Sequence, residues 1–367
     1  MYVTNQTATG GPYQIVAYAA NANGQLTAVA GSPFSQDVYS LAANGGYLMA
    51  SAASQPDINT YTIGTNGALT LANQFNYGQD TGYNNAGCGG AGGLIFDHSG
   101  QSLYATVGNI DCSSNSAIAS FSVNSSNGSL SYLGNVNIGY NSSGAIAFLG
   151  NKDFAYSAFP GIYWTVLSFE RGSNGNLGFN GSFTTVRPIS APPGSTPGLI
   201  DGYTPGITAT DTTNHVAFAE FPDFTVGGAT PPVQLAVYTA DANGDLSTAD
   251  TYATMPATSV TTPVDLETSP SGTLLAVGGI GGLQVFHFNG ASSLTRFTGL
   301  LTTASIDQVA WDNSNHLYAV TYSAPAANGG VSPGWLYVFT VTDTEATAAP
   351  GSPYTIATPE SLAVQSE

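Results

Sequence analysis

The fold is decided by the stretch Gly92–Leu130, which reads GGLIFDHSGQSLYATVGNIDCSSNSAIASFSVNSSNGSL. Three apolar runs, Leu94–Phe96, Leu103–Thr106 and Ile118–Val123, are separated by turns, and a last segment begins at Ser129. Short runs bounded by Gly, Asn and Asp are typical of strands rather than helices. The stretch therefore predicts a unit of four short strands joined by turns.

The same pattern occurs seven times in 367 residues, which gives about 52 residues per copy. This length is compatible with a four-stranded propeller blade that carries loop insertions. The first copy lacks a first strand, and the C-terminal segment Pro359–Val364 matches the first-strand pattern of Val264–Thr268. We expect the C-terminal strand to complete the first blade, because closure removes both open sheet edges.

The predicted architecture is all-β, a seven-bladed β-propeller with four antiparallel strands per blade. The ring is closed by the C-terminal strand, which pairs into the N-terminal blade. Residues 1–367 form a single domain, with blades at roughly 1–36 plus 358–367, 37–78, 92–138, 144–186, 206–255, 263–303 and 305–357.

Three motifs resemble those of YVTN-type seven-bladed propellers. They are the tetrapeptide Tyr2–Asn5, the segments Gly31–Phe34 and Gly351–Tyr354, and the recurring Asn-Gly-x-Leu turns such as Asn66–Leu69. That family overlaps the lactonase-type propellers, which include 6-phosphogluconolactonase-like proteins. The resemblance covers nearly the whole chain, and it implies the propeller fold and, as one activity, lactone hydrolysis.

The composition excludes several classes of partner. Charged residues make up 7% of the chain, against about 25% in ordinary domains, and the formal net charge is −18. The basic residues number four: Lys152, Arg171, Arg187 and Arg296. Nucleic acid is excluded because phosphate binding needs clustered basic side chains. A phosphorylated lactone is disfavoured for the same reason, since Arg187 alone is well placed to meet an anion.

The protein is predicted to reside in an oxidising compartment. The two cysteines, Cys88 and Cys112, fit one disulfide, although two free thiols are the alternative. No run of 18 apolar residues occurs, so no membrane span is expected. The sparsely charged surface suits a secreted, periplasmic or cell-surface protein, and the chain opens directly on a strand, as a mature form whose leader has been removed would.

The long segments are predicted to gather on one face of the propeller. Loops between the second and third strands, and between consecutive blades, emerge on that face, and elaborated loops usually carry function. Those loops are Gln6–Tyr13, Gly78–Ala91, Gly108–Ser116, Arg187–Pro205, Phe221–Pro232 and Tyr322–Pro333. Cys88 and Cys112 both lie on it.

Four carboxylates are the catalytic candidates. Asp265, Asp307 and Glu360 stand near the starts of first strands, which line the central channel, so they are predicted to form an acidic arc at its mouth. The arc could bind a cation such as calcium or supply an acid–base pair, and a solvated acidic rim is the alternative. Glu267 stands where other copies carry a small residue, and burial would raise its pKa.

The ligand-binding candidates combine aromatic rings, amides and acids on the loop-rich face, as in carbohydrate sites. They are Tyr83, Asn84, Asn85, Tyr163, Trp164, Arg187, Asp201, Tyr203, Asp223 and Phe224. Neither a zinc-type histidine spacing nor a Ser–His–Asp set is found. The sequence therefore predicts a binding or scaffolding propeller for a glycan, peptide or protein. The alternatives are a lactonase-like hydrolase, which a metal could assist, and a subunit of a self-assembling extracellular structure.

Overall fold

A computed structural model describes residues 1–6, 12–35, 37–53, 55–78, 91–108, 115–138, 146–150, 153–159, 165–180, 186, 188–321 and 333–365. Every regular element within these ranges is a β-strand, and the strands form seven antiparallel sheets of four or five strands and one two-stranded ribbon. The prediction of a seven-bladed β-propeller is confirmed. The described residues include no helix long and apolar enough to span a bilayer.

The strands are numbered in chain order. Blade one contains β1 (Tyr2–Gln6), β2 (Tyr13–Ala20), β3 (Leu26–Ala28) and β4 (Phe34–Ser35). Blade two contains β5 (Val38–Asn44), β6 (Tyr47–Ala52), β7 (Asp57–Ile63) and β8 (Leu69–Asn76). Blade three contains β9 (Gly93–Phe96), β10 (Ser102–Gly108), β11 (Asn115–Val123) and β12 (Leu130–Asn137).

Blade four contains β13 (Ala147–Phe148), β14 (Phe154–Phe159), β15 (Thr165–Arg171) and β16 (Leu177–Phe179). Blade five is a five-stranded sheet of β17 (Ile189–Ser190), β19 (Gly202–Thr210), β20 (His215–Pro222), β22 (Gln234–Ala240) and β23 (Leu246–Ser247). The strands β18 (Thr196–Pro197) and β21 (Phe224–Thr225) form a separate ribbon.

Blade six contains β24 (Thr262–Thr268), β25 (Leu274–Ile280), β26 (Gly282–Asn289) and β27 (Ser292–Arg296). Blade seven contains β28 (Ile306–Trp311), β29 (His316–Thr321), β30 (Pro333–Val341), β31 (Ala346–Ala348) and β32 (Tyr354–Ala357). The last strand is β33 (Pro359–Ala363).

The C-terminal strand completes blade one as predicted. β33 pairs antiparallel with β1, with Val3 opposite Leu362 and Tyr2 opposite Ala363. Blade one is therefore made from both ends of the described chain. The pairing leaves β1 with hydrogen-bonded neighbours on both sides, since β2 occupies its other edge.

The chain divides into two compact units. Unit 1 comprises Met1–Tyr140, Gly172–Leu177 and Asp307–Glu367, and unit 2 comprises Asn141–Arg171 and Gly178–Ile306. Unit 1 holds blades one, two, three and seven, and unit 2 holds most of blade four together with blades five and six.

The core lies between neighbouring blades, because the middle strands bury both faces. In β20, Val216 and Phe218 join a cluster with Tyr156 of blade four, whereas Ala217 and Ala219 join the cluster shared with blade six. Successive side chains of a strand point to opposite faces, so a strand buried on both faces is apolar at most of its positions. This explains the unbroken apolar runs in the sequence.

The Asn-Gly-x-Leu turns also connect blades. In three places a buried tyrosine hydroxyl donates to the glycine carbonyl of the next blade's turn: Tyr2 to Gly67 (3.0 Å), Tyr104 to Gly175 (2.8 Å) and Tyr156 to Gly244 (2.7 Å). The three glycines have φ values of 79°, 90° and 81°, a region that disfavours side chains. The motif therefore presents a carbonyl to the neighbouring blade.

Candidate functional site

One repeated hydrogen bond joins the first strands of successive blades in unit 1. A leucine N–H of one blade donates to a polar side chain of the preceding blade: Leu362 to Gln308 Oε1 (2.7 Å), Leu41 to Ser361 Oγ (3.1 Å) and Leu94 to Ser40 Oγ (3.1 Å). The bonds are buried or partly buried. They fix the register of β28, β33, β5 and β9.

This register places Asp307, Glu360 and Tyr39 at equivalent positions on neighbouring strands. Each is the residue immediately before the accepting side chain on β28, β33 and β5. Burial raises the pKa of Glu360, and the charge of Asp307 raises it further. Burial also raises the pKa of Asp307. The structure thus brings together two of the predicted acidic residues.

Two tyrosines complete this group. The rings of Tyr13 and Tyr39 meet edge to face, with centroids 5.7 Å apart and planes at 87°. Thr4 Oγ1 donates to the Tyr39 carbonyl (3.0 Å), which anchors β5 beside β1. Burial raises the pKa of both phenols, and the charge of Glu360 raises both further. We call Asp307, Glu360, Tyr13 and Tyr39 the acid–tyrosine cluster.

The residue ranges of unit 1 contain no Lys or Arg side chain. All four Lys and Arg residues of the chain fall within the ranges of unit 2. Carboxylates accept hydrogen bonds from hydroxyl groups, and a carboxyl pair with raised pKa values can also exchange protons. The Tyr39 ring, 39% exposed, offers an apolar face.

Asp265, the third member of the predicted arc, belongs to unit 2. It lies on β24, two residues before Glu267. Burial raises the pKa of Glu267 well above its ordinary value, and the charge of Asp265 raises it further. Within the described residues no group of three His, Cys, Asp or Glu side chains is arranged to bind a metal ion. The calcium site therefore stays a prediction.

Four ligand-binding candidates come together beside blade five. Tyr203 and Phe224 pack edge to face with centroids 5.0 Å apart, and each is 3% exposed. Asp223 accepts the N–H of Ile200 through Oδ2 (2.6 Å) and so fixes the preceding loop. Asp201, with φ at 57°, is exposed. The two rings therefore support the ribbon, and Asp201 is the candidate that faces solvent.

The remaining candidates lie outside the described residues. They are the ligand-binding candidates Tyr83, Asn84, Asn85, Tyr163, Trp164 and Arg187 and the predicted disulfide pair Cys88 and Cys112. Their roles stay predictions.

Two histidines, His215 and His316, lie at the ends of turns and bond to an aspartate four residues earlier. His215 Nδ1 lies 2.7 Å from Asp211 Oδ2, and His316 Nδ1 lies 2.7 Å from Asp312 Oδ2. In both turns the same aspartate also accepts the backbone N–H of the histidine. These pairs therefore shape the turns between first and second strands.

One buried acid was not among the sequence candidates. Glu220 on β20 is 0% exposed, and Tyr238 donates to its Oε1 (3.1 Å). The alternation Val216, Phe218, Glu220 could have revealed it, because the three residues share one face of the strand. A sequence pattern could also have identified Tyr39, a member of the acid–tyrosine cluster that was not a candidate. Tyr39 occupies in blade two the repeat position that Glu360 occupies in blade one.

The comparisons with known proteins give the fold. No protein-family model and no curated protein matches the sequence. Among solved structures, a Bacteroides uniformis protein described as a candidate 6-phosphogluconolactonase is 12% identical, with a TM-score of 0.61 over 98% of this chain and 97% of that one. A Bacteroides fragilis protein described in the same way is 14% identical, with a TM-score of 0.58 and coverage of 98% and 96%.

A Lactobacillus plantarum protein is likewise 14% identical, with a TM-score of 0.60 over 98% of both chains. At such low identity the similarity is one of fold. The chain thus has the propeller fold that lactonase-like proteins also use, and function must be argued from the site.

Proposed function

We propose that the protein is a binding propeller whose acid–tyrosine cluster recognises an uncharged carbohydrate ligand. The observation that supports this most directly is the fixed register of Asp307, Glu360 and Tyr39 on adjacent strands. Carboxylate oxygens accept the hydrogen bonds of sugar hydroxyls, and a tyrosine ring stacks on the apolar face of a sugar. Neither contact needs the basic residues that unit 1 lacks.

The proposal includes an exported location, secreted, periplasmic or cell-surface. A surface built from Ser, Thr, Asn and Gly with few charges suits a ligand bound through hydroxyl and amide groups. Anionic ligands are disfavoured, because a chain with a formal charge of −18 repels them over roughly one Debye length of about 8 Å. Peptide or protein partners remain the alternative occupants of the same surface.

A panel of immobilised neutral glycans tests the proposal. The double variant Asp307→Asn/Glu360→Gln keeps the size of both side chains and should weaken binding about tenfold or more, since each charged hydrogen bond contributes about 1.5–3 kcal/mol. Tyr39→Ala should weaken it separately. Glu345→Gln, at an exposed glutamate of unit 1, is the matched control. If the double variant and Tyr39→Ala both bind as well as the Glu345→Gln control, the cluster is excluded as the site.

A lactone hydrolase is the second candidate, favoured by the raised pKa values of Asp307 and Glu360. One carboxylate would take a proton from water as its oxygen bonds to the lactone carbonyl carbon. The other, still protonated, would give its proton to the ring oxygen as the ring C–O bond breaks. The resemblance to lactonase-type propellers supports this candidate.

Hydrolysis of uncharged sugar lactones, measured with and without calcium, separates the two functions. An enzyme should lose turnover in Asp307→Asn and in Glu360→Gln, whereas a binding protein should show no turnover above that of buffer. Turnover that survives the double variant would place the chemistry elsewhere. A calcium-dependent rate would support the predicted cation site.

A further inference from the structure

Glu220 is a buried carboxyl group with one unsatisfied oxygen. It lies on the face of β20 that carries Val216 and Phe218, inside the core between blades four and five. Tyr238 donates to Oε1 (3.1 Å), whereas Oε2 has no hydrogen-bond partner among the described residues. A buried acceptor left without a donor destabilises the folded state, so the unpaired oxygen needs an explanation.

Gln234 presents a second unsatisfied oxygen directly opposite. It pairs with Glu220 across β20 and β22, and directly paired residues hold their Cβ atoms about 5 Å apart on the same face. Gln234 Nε2 donates to the carbonyls of Met255 (2.9 Å) and Tyr252 (3.3 Å), which fixes the orientation of the amide. Its Oε1 is buried and, among the described residues, has no donor.

Two buried acceptors therefore belong to directly paired residues on one face of the sheet, and a single proton on Glu220 would satisfy both. We propose that Glu220 is protonated in the folded protein, that its Oε2–H donates to Gln234 Oε1, and that this pair is a pH-sensitive junction of blade five. The bond ties β20 to β22 at the last residue pair of their ladder.

The surroundings favour the neutral form of Glu220. The pKa of Glu220 is raised to about 8, mainly by burial. The Tyr238 hydrogen bond lowers this pKa, and the charge of Asp250 raises it. Tyr238 faces it from β22 and Asp250 from the segment after β23. Tyr203 of β19 and Tyr156 of β14 are the further titratable groups of this core, and both are neutral below their raised pKa values.

Proton loss should loosen two segments that meet at the junction. β20 continues from Glu220 into Phe221 and Pro222 and then into the ribbon strand β21. Gln234 holds the 252–255 turn through its two amide bonds. A carboxylate at Glu220 would face the Gln234 oxygen without a donor, in an environment that penalises charge. Both segments should then open more often.

Unfolding in urea between pH 5 and pH 9 tests the proposal. The folded pKa lies above the ordinary 4.5, so the folded protein keeps a proton that the unfolded chain releases. Stability from this group is therefore full below about pH 4.5 and falls until about pH 8. Relative to Glu220→Gln, the unfolding constant of the wild type should rise by up to about tenfold per pH unit in this window. Glu170→Gln, at an exposed glutamate of unit 2, should behave as the wild type does.

Hydrogen exchange gives the local readout. At pH 9 the peptides covering 221–234 should exchange faster in the wild type than in Glu220→Gln, and at pH 5 the two proteins should match. Equal pH dependence of unfolding in both proteins would overturn the proposal. If Glu220→Gln does not fold, the pH dependence of unfolding in Tyr238→Phe provides the test. Removing the donor that stabilises the carboxylate must move the transition to higher pH, and an unmoved transition would also overturn the proposal.

Discussion

Removing the Tyr156 hydroxyl should measure how much the tyrosine-to-turn bond contributes to stability. Tyr156 is fully buried in unit 2, and its hydroxyl donates to the Gly244 carbonyl at 2.7 Å. Tyr156→Phe keeps the ring and its packing but leaves this buried carbonyl without that donor. The expected loss is about 1–3 kcal/mol, the cost of one unmade buried hydrogen bond.

The assay is equilibrium unfolding in urea, supported by thermal unfolding. With about 2.1 cal/mol/K per residue, a chain of 367 residues that unfolds as one unit would lose about 1–4 °C in Tm. Tyr252→Phe is the matched control, because Tyr252 is 38% exposed and its hydroxyl can bond to water. The control should change stability by less than about 0.5 kcal/mol.

A double-mutant cycle tests the mechanism as well as the magnitude. In Gly244→Ala the new Cβ would lie 2.7 Å from a ring carbon of Phe154, at a φ of 81°, so the turn must shift and the tyrosine bond must stretch. The two single effects should then sum to more than the effect of the double variant, because the second change removes a bond that the first has already weakened. A Tyr156→Phe protein as stable as the wild type, or strictly additive effects, would refute the role of the bond.

Three further outcomes follow from local geometry. In urea unfolding, Gly128→Ala should be more destabilising than Gly227→Ala. Both glycines have positive φ, but only a Cβ at position 128 would meet a side chain, the Tyr47 ring at 2.7 Å. Deleting β33 should expose the edge of β1 and produce oligomers in size-exclusion chromatography. Burial alone would raise the pKa of Asp211, but bonds from His215 and the adjacent turn lower it overall. The Asp211 carboxylate therefore stabilises the folded protein above about pH 4, and this stabilisation is lost on acidification. Asp211→Asn should make the free energy of unfolding in acid less dependent on pH.

The strands and their closure could be predicted because they depend on local patterns. Alternation, turn residues and the repeat indicated the blades, and the unmatched C-terminal segment indicated the β33–β1 pairing that the structure shows. The Gly-Ser-Pro-aromatic motif has an equally local basis. Ser32 Oγ and Ser352 Oγ accept the N–H groups of Ala17 and Val338, each on the neighbouring strand of the same blade.

The site could be predicted only in part, because it depends on which side chains meet across strands. Asp307 and Glu360 were found from their equivalent repeat positions, and the same argument applied to blade two would have added Tyr39. Tyr203 and Phe224 lie in segments that the sequence predicts to be loops, and nothing local shows that they pack on each other. The orphan oxygens of Glu220 and Gln234 appear only when the partners of every buried polar atom are known.

The scarcity of basic residues explains why four carboxyl groups of this protein share one behaviour. The blades are joined by uncharged hydrogen bonds from Tyr, Ser, Thr and Asn side chains, so burial of a carboxylate is seldom balanced by a cation. Desolvation then prevails, and the pKa values of Glu220, Glu267, Asp307 and Glu360 are all raised. Asp211 departs from this because it has hydrogen-bond donors. A scaffold with so few basic residues can therefore hold carboxyl groups ready to accept hydroxyl hydrogen bonds or to exchange protons, which is the chemistry that both proposed functions require.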